Sequence, residues 1–427
     1  MPAHRHAAKA AAVAALLAAT PALGGDARFE DARLPRCWSR TRTVTVAAAQ
    51  RDAIGAKLGA RLTELINYHV DAAGQPLQVN VVRCASPEDA RKALDALLAS
   101  GMPAEKFVRR DVVVYEFRYQ NARVADKMKD LMGLYDRSAR TYRVRVDVAP
   151  LDRGDDSRWN DLFNALVALG RESENQDAVM RVLDLGAHFR FRKKLALRME
   201  RPAWGAPAYT FDPAPAAQER LGDAWVATFA QLPLTAAVPV VRVEATVPVA
   251  PFSPYAPGEP IDVYHLTRAT DPWPMAHREV HKAFLEPVDS LVWNPYAPLL
   301  DRIEYILCWV NRKVAFAGEK VGSRYGTVRV LEQRYGHCWD QSDAFISICR
   351  RAKIPARQAG GWLYDAEGPG TGHIWAQVYS DSLGWLSVDP TCSWIGVTED
   401  YVPLWISETG HPPLVYASMP EITIVEE

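Results

Sequence analysis

At 427 residues the chain is long enough for two or three domains. It is 48% hydrophobic and 24% charged, with a formal net charge of -1, the make-up of an ordinary globular protein. That balance gives no electrostatic reason to expect nucleic acid or an anionic membrane surface as partner, and beyond the N-terminus no apolar run is long enough to span a bilayer.

The first residues read as an address. His4, Arg5, His6 and Lys9 give a positive start, Ala10 to Ala19 is an unbroken small apolar run, and small residues follow at Thr20-Pro21-Ala22 and Ala22-Leu23-Gly24. This is the layout of a secretory signal peptide over residues 1–24, which implies a secreted or periplasmic protein. The other reading is an Ala-rich helix of the mature chain. No cysteine stands at the cleavage point, so a lipoprotein anchor is not expected.

From Thr43 to about Glu200 strand and helix patterns alternate. Gln78 to Val82 alternates like a strand, and Ala85-Ser86-Pro87-Glu88-Asp89 opens a helix with proline in its first turn. Ala90, Ala93, Leu94 and Leu97 give that helix one apolar face. Asp111 to Phe117 reads as a strand and Asn121 to Met132 as a helix. A third pair follows, with Tyr142 to Val148 as strand and Asp156 to Leu169 as helix. Residues 27–200 are therefore expected to form a small N-terminal α+β domain, with no chemistry-bearing motif in it. Prolines recur every few residues between Pro202 and Pro260, which disfavours long regular elements and marks 201–260 as a connector carrying a strand or two. The alternating run Val238 to Val249 is its best strand.

Residues 261–427 are expected to form the domain that carries the chemistry. His277-Arg278-Glu279-Val280-His281 puts two histidines on one helix face, but the order is H-x-E-x-H and no third ligand is apparent. Surface histidines are the preferred reading, and no metal or cofactor is expected. Pro298 to Val314 is an amphipathic helix lined by Leu299, Ile303, Ile306, Leu307 and Val310.

Three later placements coincide. Cys338 lies at or just before the N-terminus of a helix patterned from Trp339 to Ala352, where unpaired N–H groups and the positive dipole end favour a thiolate. Asp340 and Asp343 in the same region oppose that effect, so a basic partner is needed. Ile374 to Tyr379 and Trp385 to Asp389 alternate as strands around the turn Ser380-Asp381-Ser382-Leu383-Gly384, a hairpin. This pairing sets Asp389 opposite Trp375 and diagonal to His373 on one side of the sheet, within reach of a hydrogen bond. With the Cys338 helix packed across that face, His373 takes the thiol proton and Asp389 holds its tautomer. Cys349, deep in the apolar pattern of the same helix, reads as a buried structural thiol.

The stretch resembles the catalytic core of the transglutaminase-like superfamily of papain-like cysteine enzymes. The resemblance rests on Tyr335-Gly336-His337-Cys338-Trp339-Asp340 and on Arg350 to Arg357, ending Ile354-Pro355-Ala356-Arg357. It continues through Gly372-His373-Ile374-Trp375-Ala376-Gln377-Val378 and Gly384-Trp385 to Val388-Asp389-Pro390-Thr391. It implies a helix bearing the nucleophile packed on an antiparallel sheet, an α+β core, and acyl transfer through a thioester. Catalytic roles are implied for Cys338, His373 and Asp389. Lys353 departs from the family in standing where a glycine often precedes Ile-Pro. The family's oxyanion side chain has no secure counterpart; Trp309 and Gln333 are candidates beside the backbone N–H of Cys338. No acidic cluster resembles a calcium site.

Six cysteines are present: Cys37, Cys84, Cys308, Cys338, Cys349 and Cys392. With Cys338 kept as a thiol, at least one other cysteine is free or pairs outside the chain. An oxidising compartment permits Cys37–Cys84 and one pair among the other three, and the sequence leaves the connectivity open. No two stand at C-x-x-C spacing, which argues against a structural zinc site. The leading expectation is an exported enzyme acting on amide bonds of a protein or peptide substrate, with hydrolysis favoured over cross-linking. The alternative is a non-catalytic envelope module that keeps the fold for binding. Oligomeric state and natural substrate stay open.

Overall fold

The computed structural model describes residues 29, 32–150, 191–197, 208–221, 224–232, 241–254, 262–270, 273, 290–317, 324–366, 368–412 and 414–425. The expected leader, the helix expected over Asp156 to Leu169, and the pair His277 and His281 lie outside them. The fold is α+β with antiparallel sheets, and it divides into two compact units. One comprises residues up to Asp136 with 288–315 and 390–394, the other 137–287, 316–389 and 395–427.

In the first unit a five-stranded sheet runs in the order Trp38–Thr45, Leu62–Ala72, Gln75–Cys84, Val113–Tyr119, Phe107–Arg110. Period-two alternation sends Leu77, Val79 and Val81 with Val113, Tyr115 and Phe117 to one face, against Val124, Ala125 and Met128 of the helix Ala122–Leu131. Val82, Cys84 and Val114 point to the other face and meet Ala90 and Ala93 of the helix Pro87–Ala99. That helix starts as its sequence suggests: Pro87 opens it and the Ser86 hydroxyl accepts from Asp89 N at 3.1 Å.

Two features of this region depart from a chain of β-α modules. Leu62–Ala72 is an additional strand, joined to Gln75–Cys84 by a tight hairpin with Ala73 and Gly74 at φ 55° and 90°. Its polar Thr63, Glu64, Asn67, His69 and Asp71 blur the apolar signal. The strand expected over Tyr142 to Val148 is present as Arg140–Pro150, but it works in the second unit. There it pairs with Val241–Val249 on one side and with Leu414–Tyr416 and Glu421–Ile424 on the other.

The fold supplies a disulfide that the sequence left open. Cys37 bonds to Cys308, not to Cys84, with Cα atoms 4.9 Å apart. Cys84 is buried among Leu62, Ala90, Ala93 and Val114, in a core that Cys37 does not enter. Cys37 precedes the first strand, beside Arg36, whose backbone N–H donates to Glu304 of the helix Leu299–Lys313 at 3.2 Å. Cys349 and Cys392 are not disulfide-bonded.

The second unit holds the stretch singled out by its motifs. A sheet runs Gly384–Asp389, Thr371–Ser380, Ala356–Leu363, Tyr401–Ser407, with the short Trp394–Ile395 at the Gly384–Asp389 edge. Every residue of Ala356–Leu363, Gly384–Asp389 and Tyr401–Ser407 is buried, so these strands are covered on both faces. Trp362, Ile374 and Trp405 share one core with the valines of Arg140–Pro150 and Val241–Val249. The helix Cys338–Arg351 lies against this sheet: the Ser342 hydroxyl donates to the Ile374 carbonyl at 3.3 Å and Gln358 donates to Asp343 at 3.2 Å. It is buried from Asp340 to Arg350 on every side.

Candidate active site

The helix begins at Cys338, with His337 as its N-cap in an extended conformation. Cys338 occupies the first helical position, so its N–H is one of those a helix leaves without an internal acceptor. The side chain is partly exposed. Gly336 makes this turn possible, because a Cβ there would stand 2.7 Å from Cβ and 2.9 Å from a carboxylate oxygen of Asp340.

The two acids that threatened the thiolate are both engaged. Asp340 is fully buried and turns its carboxylate back on the chain, accepting from the backbone N–H groups of His337 at 3.2 Å, Tyr325 at 2.8 Å and Gly326 at 3.2 Å. Asp343, also fully buried, takes a bidentate pair from Arg324 and a bond from Trp273 Nε1 at 2.9 Å. Burial pushes the Asp343 carboxyl up to about 6, against the lowering pull of Arg324 and Trp273. The Arg324 guanidinium lies 4.9 Å from the centre of the Trp339 ring, next to the thiol in sequence.

The hairpin forms in the expected register. Tyr379 stands opposite Trp385 and Ala376 opposite Val388, which continues to Trp375 opposite Asp389. His373 and Asp389 share one face, and His373 Nε2 lies 2.9 Å from Asp389 Oδ2. Asp389 is fully buried and His373 is 7% exposed. The other ring nitrogen, Nδ1, is turned away from Asp389, and Cys338 is close enough for its charge to act on the ring. The helix body meets the sheet on the side of Gln358, whose parity is opposite to that of His373 and its partner Gly361. The helix therefore lies on the face opposite to the one bearing His373 and Asp389 and not across it as expected, and only its N-terminal residue Cys338 is near enough to act on the ring.

Neighbouring charge raises the pKa of the ring. Burial by itself lowers the basicity of His373, but the carboxylate of Asp389 and the thiolate charge at Cys338 outweigh it and raise the pKa to about 10. The ring is thereby favoured in its protonated form beside the Asp389 carboxylate.

One neighbour, Tyr401, was not legible beforehand, and the other, Trp375, stands on the face where the strand register put it. The Tyr401 hydroxyl donates to Asp389 Oδ2, the oxygen already bonded to His373. Trp375 stacks beside His373 with centroids 6.3 Å apart. Of the oxyanion candidates, Gln333 spends its amide on the Tyr335 carbonyl at 2.8 Å, and Trp309 is a buried residue of the first unit. Among the described residues no group of three or more His, Cys, Asp or Glu side chains is placed to hold a metal ion.

A buried helix that starts at a partly exposed thiol is thus set on an antiparallel sheet bearing a His–Asp pair. Residues 288–390 match the model of the transglutaminase-like superfamily, and this part of the chain is a transglutaminase-like core. Among solved structures, a candidate cysteine protease from Cytophaga hutchinsonii is similar at 10% identity and a TM-score of 0.37, over 68% of this chain and 89% of that one. The periplasmic domain of TgpA from Pseudomonas aeruginosa is similar at 18% identity and a TM-score of 0.30, over 48% and 70%. No curated protein matches this chain.

Proposed function

We propose that the chain is a cysteine-nucleophile enzyme that cleaves amide bonds of a protein or peptide substrate through an acyl-enzyme, with Cys338, His373 and Asp389 as its catalytic residues. The observation that carries the reading is the His373–Asp389 bond of 2.9 Å, with Cys338 at the start of the buried helix close enough for its charge to act on the same ring. The Cys338 thiolate attacks the amide carbonyl, and the backbone N–H of Cys338 faces the oxyanion that forms. His373, as imidazolium, gives its proton to the departing amine, and the C–N bond breaks to leave a thioester. The now neutral imidazole then takes a proton from water as its oxygen attacks the thioester. Collapse of the second tetrahedral species releases the acid and restores the thiolate–imidazolium pair. Asp389 keeps Nε2 protonated throughout.

Water needs no built site to accept the acyl group, so hydrolysis is the default outcome and transamidation the special case. Incubation with a casein-type substrate and a fluorescent primary amine separates the two. New termini that depend on Cys338 support hydrolysis, and Cys338-dependent amine incorporation overturns it in favour of cross-linking. Loss of neither product in Cys338→Ala would leave the non-catalytic envelope module as the better reading. The Cys37–Cys308 disulfide supports an oxidising compartment, periplasmic or extracellular, as the site of action. Cell fractionation with N-terminal sequencing of the mature protein tests that placement.

A further inference from the structure

We propose that Tyr401 is a positioning residue of this site: its hydroxyl is the second donor to the Asp389 oxygen that holds His373, and it thereby limits how tightly Asp389 grips the ring. The inference rests on the catalytic reading above. Its basis is the geometry of one buried carboxylate. Asp389 is fully buried, and its Oδ2 accepts both from His373 Nε2 and from the Tyr401 hydroxyl. Tyr401 is itself 1% exposed, on the strand Tyr401–Ser407 that lies beyond Ala356–Leu363 from the His373 strand. Its ring stands edge-on to His373 with centroids 5.6 Å apart and edge-on to Trp375 at 5.4 Å. With Trp375 stacked on the imidazole, the ring is walled on two sides by aromatic surface.

Charge-assisted hydrogen bonds are among the stronger neutral-pH interactions of a buried carboxylate. A phenol proton on Oδ2 draws off part of the negative charge that would otherwise act on the imidazolium. A general acid must both hold its proton and release it to the leaving group, and over-stabilised imidazolium is a poor acid. Tyr401 moderates that stabilisation while its ring fixes the plane of His373. The described titratable groups facing His373 are Asp389 from its own hairpin, Cys338 from the helix and Tyr401 from the strand beyond. Gly361, directly across the sheet, brings no charge.

Tyr401→Phe removes the hydroxyl and leaves the ring. The test is the pH profile of Cys338 alkylation by iodoacetamide in the full chain, which needs no substrate. Its upper inflection reports loss of the His373 proton. We expect Tyr401→Phe to raise that inflection by about one pH unit, the size of one hydrogen bond to a charged group. Asp389→Asn should move it the opposite way. An inflection that stays in place or falls in Tyr401→Phe overturns the proposal and makes Tyr401 a packing residue. If wild-type Cys338 itself labels no faster than a model thiol, the catalytic reading fails first. The two failures are thus told apart by the wild-type profile.

Discussion

Arg324 grips Asp343 with two nitrogens, Nε on Oδ2 at 2.6 Å and Nη2 on Oδ1 at 2.5 Å, and so anchors the helix that begins at Cys338. The same guanidinium donates to the Gly410 carbonyl and lies over Trp339. One cation thus ties the loop after the strand Tyr401–Ser407 to the helix core and to the residue next to the thiol.

Removing that cation strands a buried carboxylate. Arg324→Gln should destabilise the protein by about 3 kcal/mol at pH 8, the cost of breaking a buried pair by deleting one partner. The pH dependence has a definite sign. Asp343 has a folded pKa raised to about 6, so its favourable contribution is full below about pH 4 and is lost as pH rises through 6. Without Arg324 the carboxyl rises further, and protonation relieves the stranded charge. Urea unfolding should therefore show a smaller penalty for the variant at pH 5 than at pH 8; equal penalties would sink the assignment.

The thiol should be activated by its partner and not by the helix alone. At pH 7, iodoacetamide should label Cys338 at least roughly tenfold faster than a model thiol of pKa about 8.5. His373→Ala should return the rate to that of the model thiol, with Cys338→Ala as the blank. An unchanged rate in His373→Ala would remove the imidazole from the mechanism.

Asp389 is what holds the His373 proton against burial. In Asp389→Asn the attraction disappears and desolvation remains, so the upper inflection should fall from about 10 toward or below the ordinary histidine value of about 6.5. Peptide cleavage at pH 8 should drop by at least about a hundredfold, since the ring loses both its tautomer and its proton. A pH–rate profile of the variant beside the wild type checks both expectations.

Gly361 sits where the strand Tyr401–Ser407 crowds its neighbour. A Cβ there would stand 2.1 Å from the Val402 carbonyl oxygen and 3.0 Å from the Trp375 ring. The first of these is backbone in a strand buried on both faces, so it has no easy way to yield. Gly361→Ala should cost about 3 kcal/mol or more by overpacking, seen as a lower urea midpoint. A midpoint within error of wild type would show that the sheet can open locally at His373.

The Cys37–Cys308 bond closes a span of 271 residues. Reduction, or the pair Cys37→Ser and Cys308→Ser, should lower stability by about 2–5 kcal/mol and shift the melting temperature down. Mass spectrometry of the unreduced protein should find this bond and leave Cys84 alkylatable only after unfolding, because burial raises its pKa to about 11.

Local pattern was enough to place several elements, and the reasons are visible in them. Ser86-Pro87 starts a helix because a hydroxyl cap and a fixed φ suit its first turn, and the described structure begins that helix at Pro87. His373 and Asp389 could be paired from parity, because strand side chains repeat every two residues and the turn length sets the register. Cys338 could be placed at a helix start because the apolar period changes there.

What the sequence could not decide were the encounters between segments far apart along the chain. Cys37 meets Cys308 and not Cys84 because the packing of a helix, not any spacing of cysteines, brings their Cα atoms within reach. Tyr401 finds Asp389, and Arg324 finds Asp343, through sheet order and helix packing that leave no trace in local periodicity. Arg140–Pro150 reads as a strand in any setting, yet only its hydrogen-bonding partners at 241–249 and 414–424 show which sheet it belongs to. By itself the sequence determined which residues form the helix, the hairpin and the His–Asp pair, since those follow from spacing along the chain. Tertiary structure decided which distant groups neutralise the two helix acids and share the Asp389 carboxylate, since burial makes each such group find a partner wherever the fold supplies one.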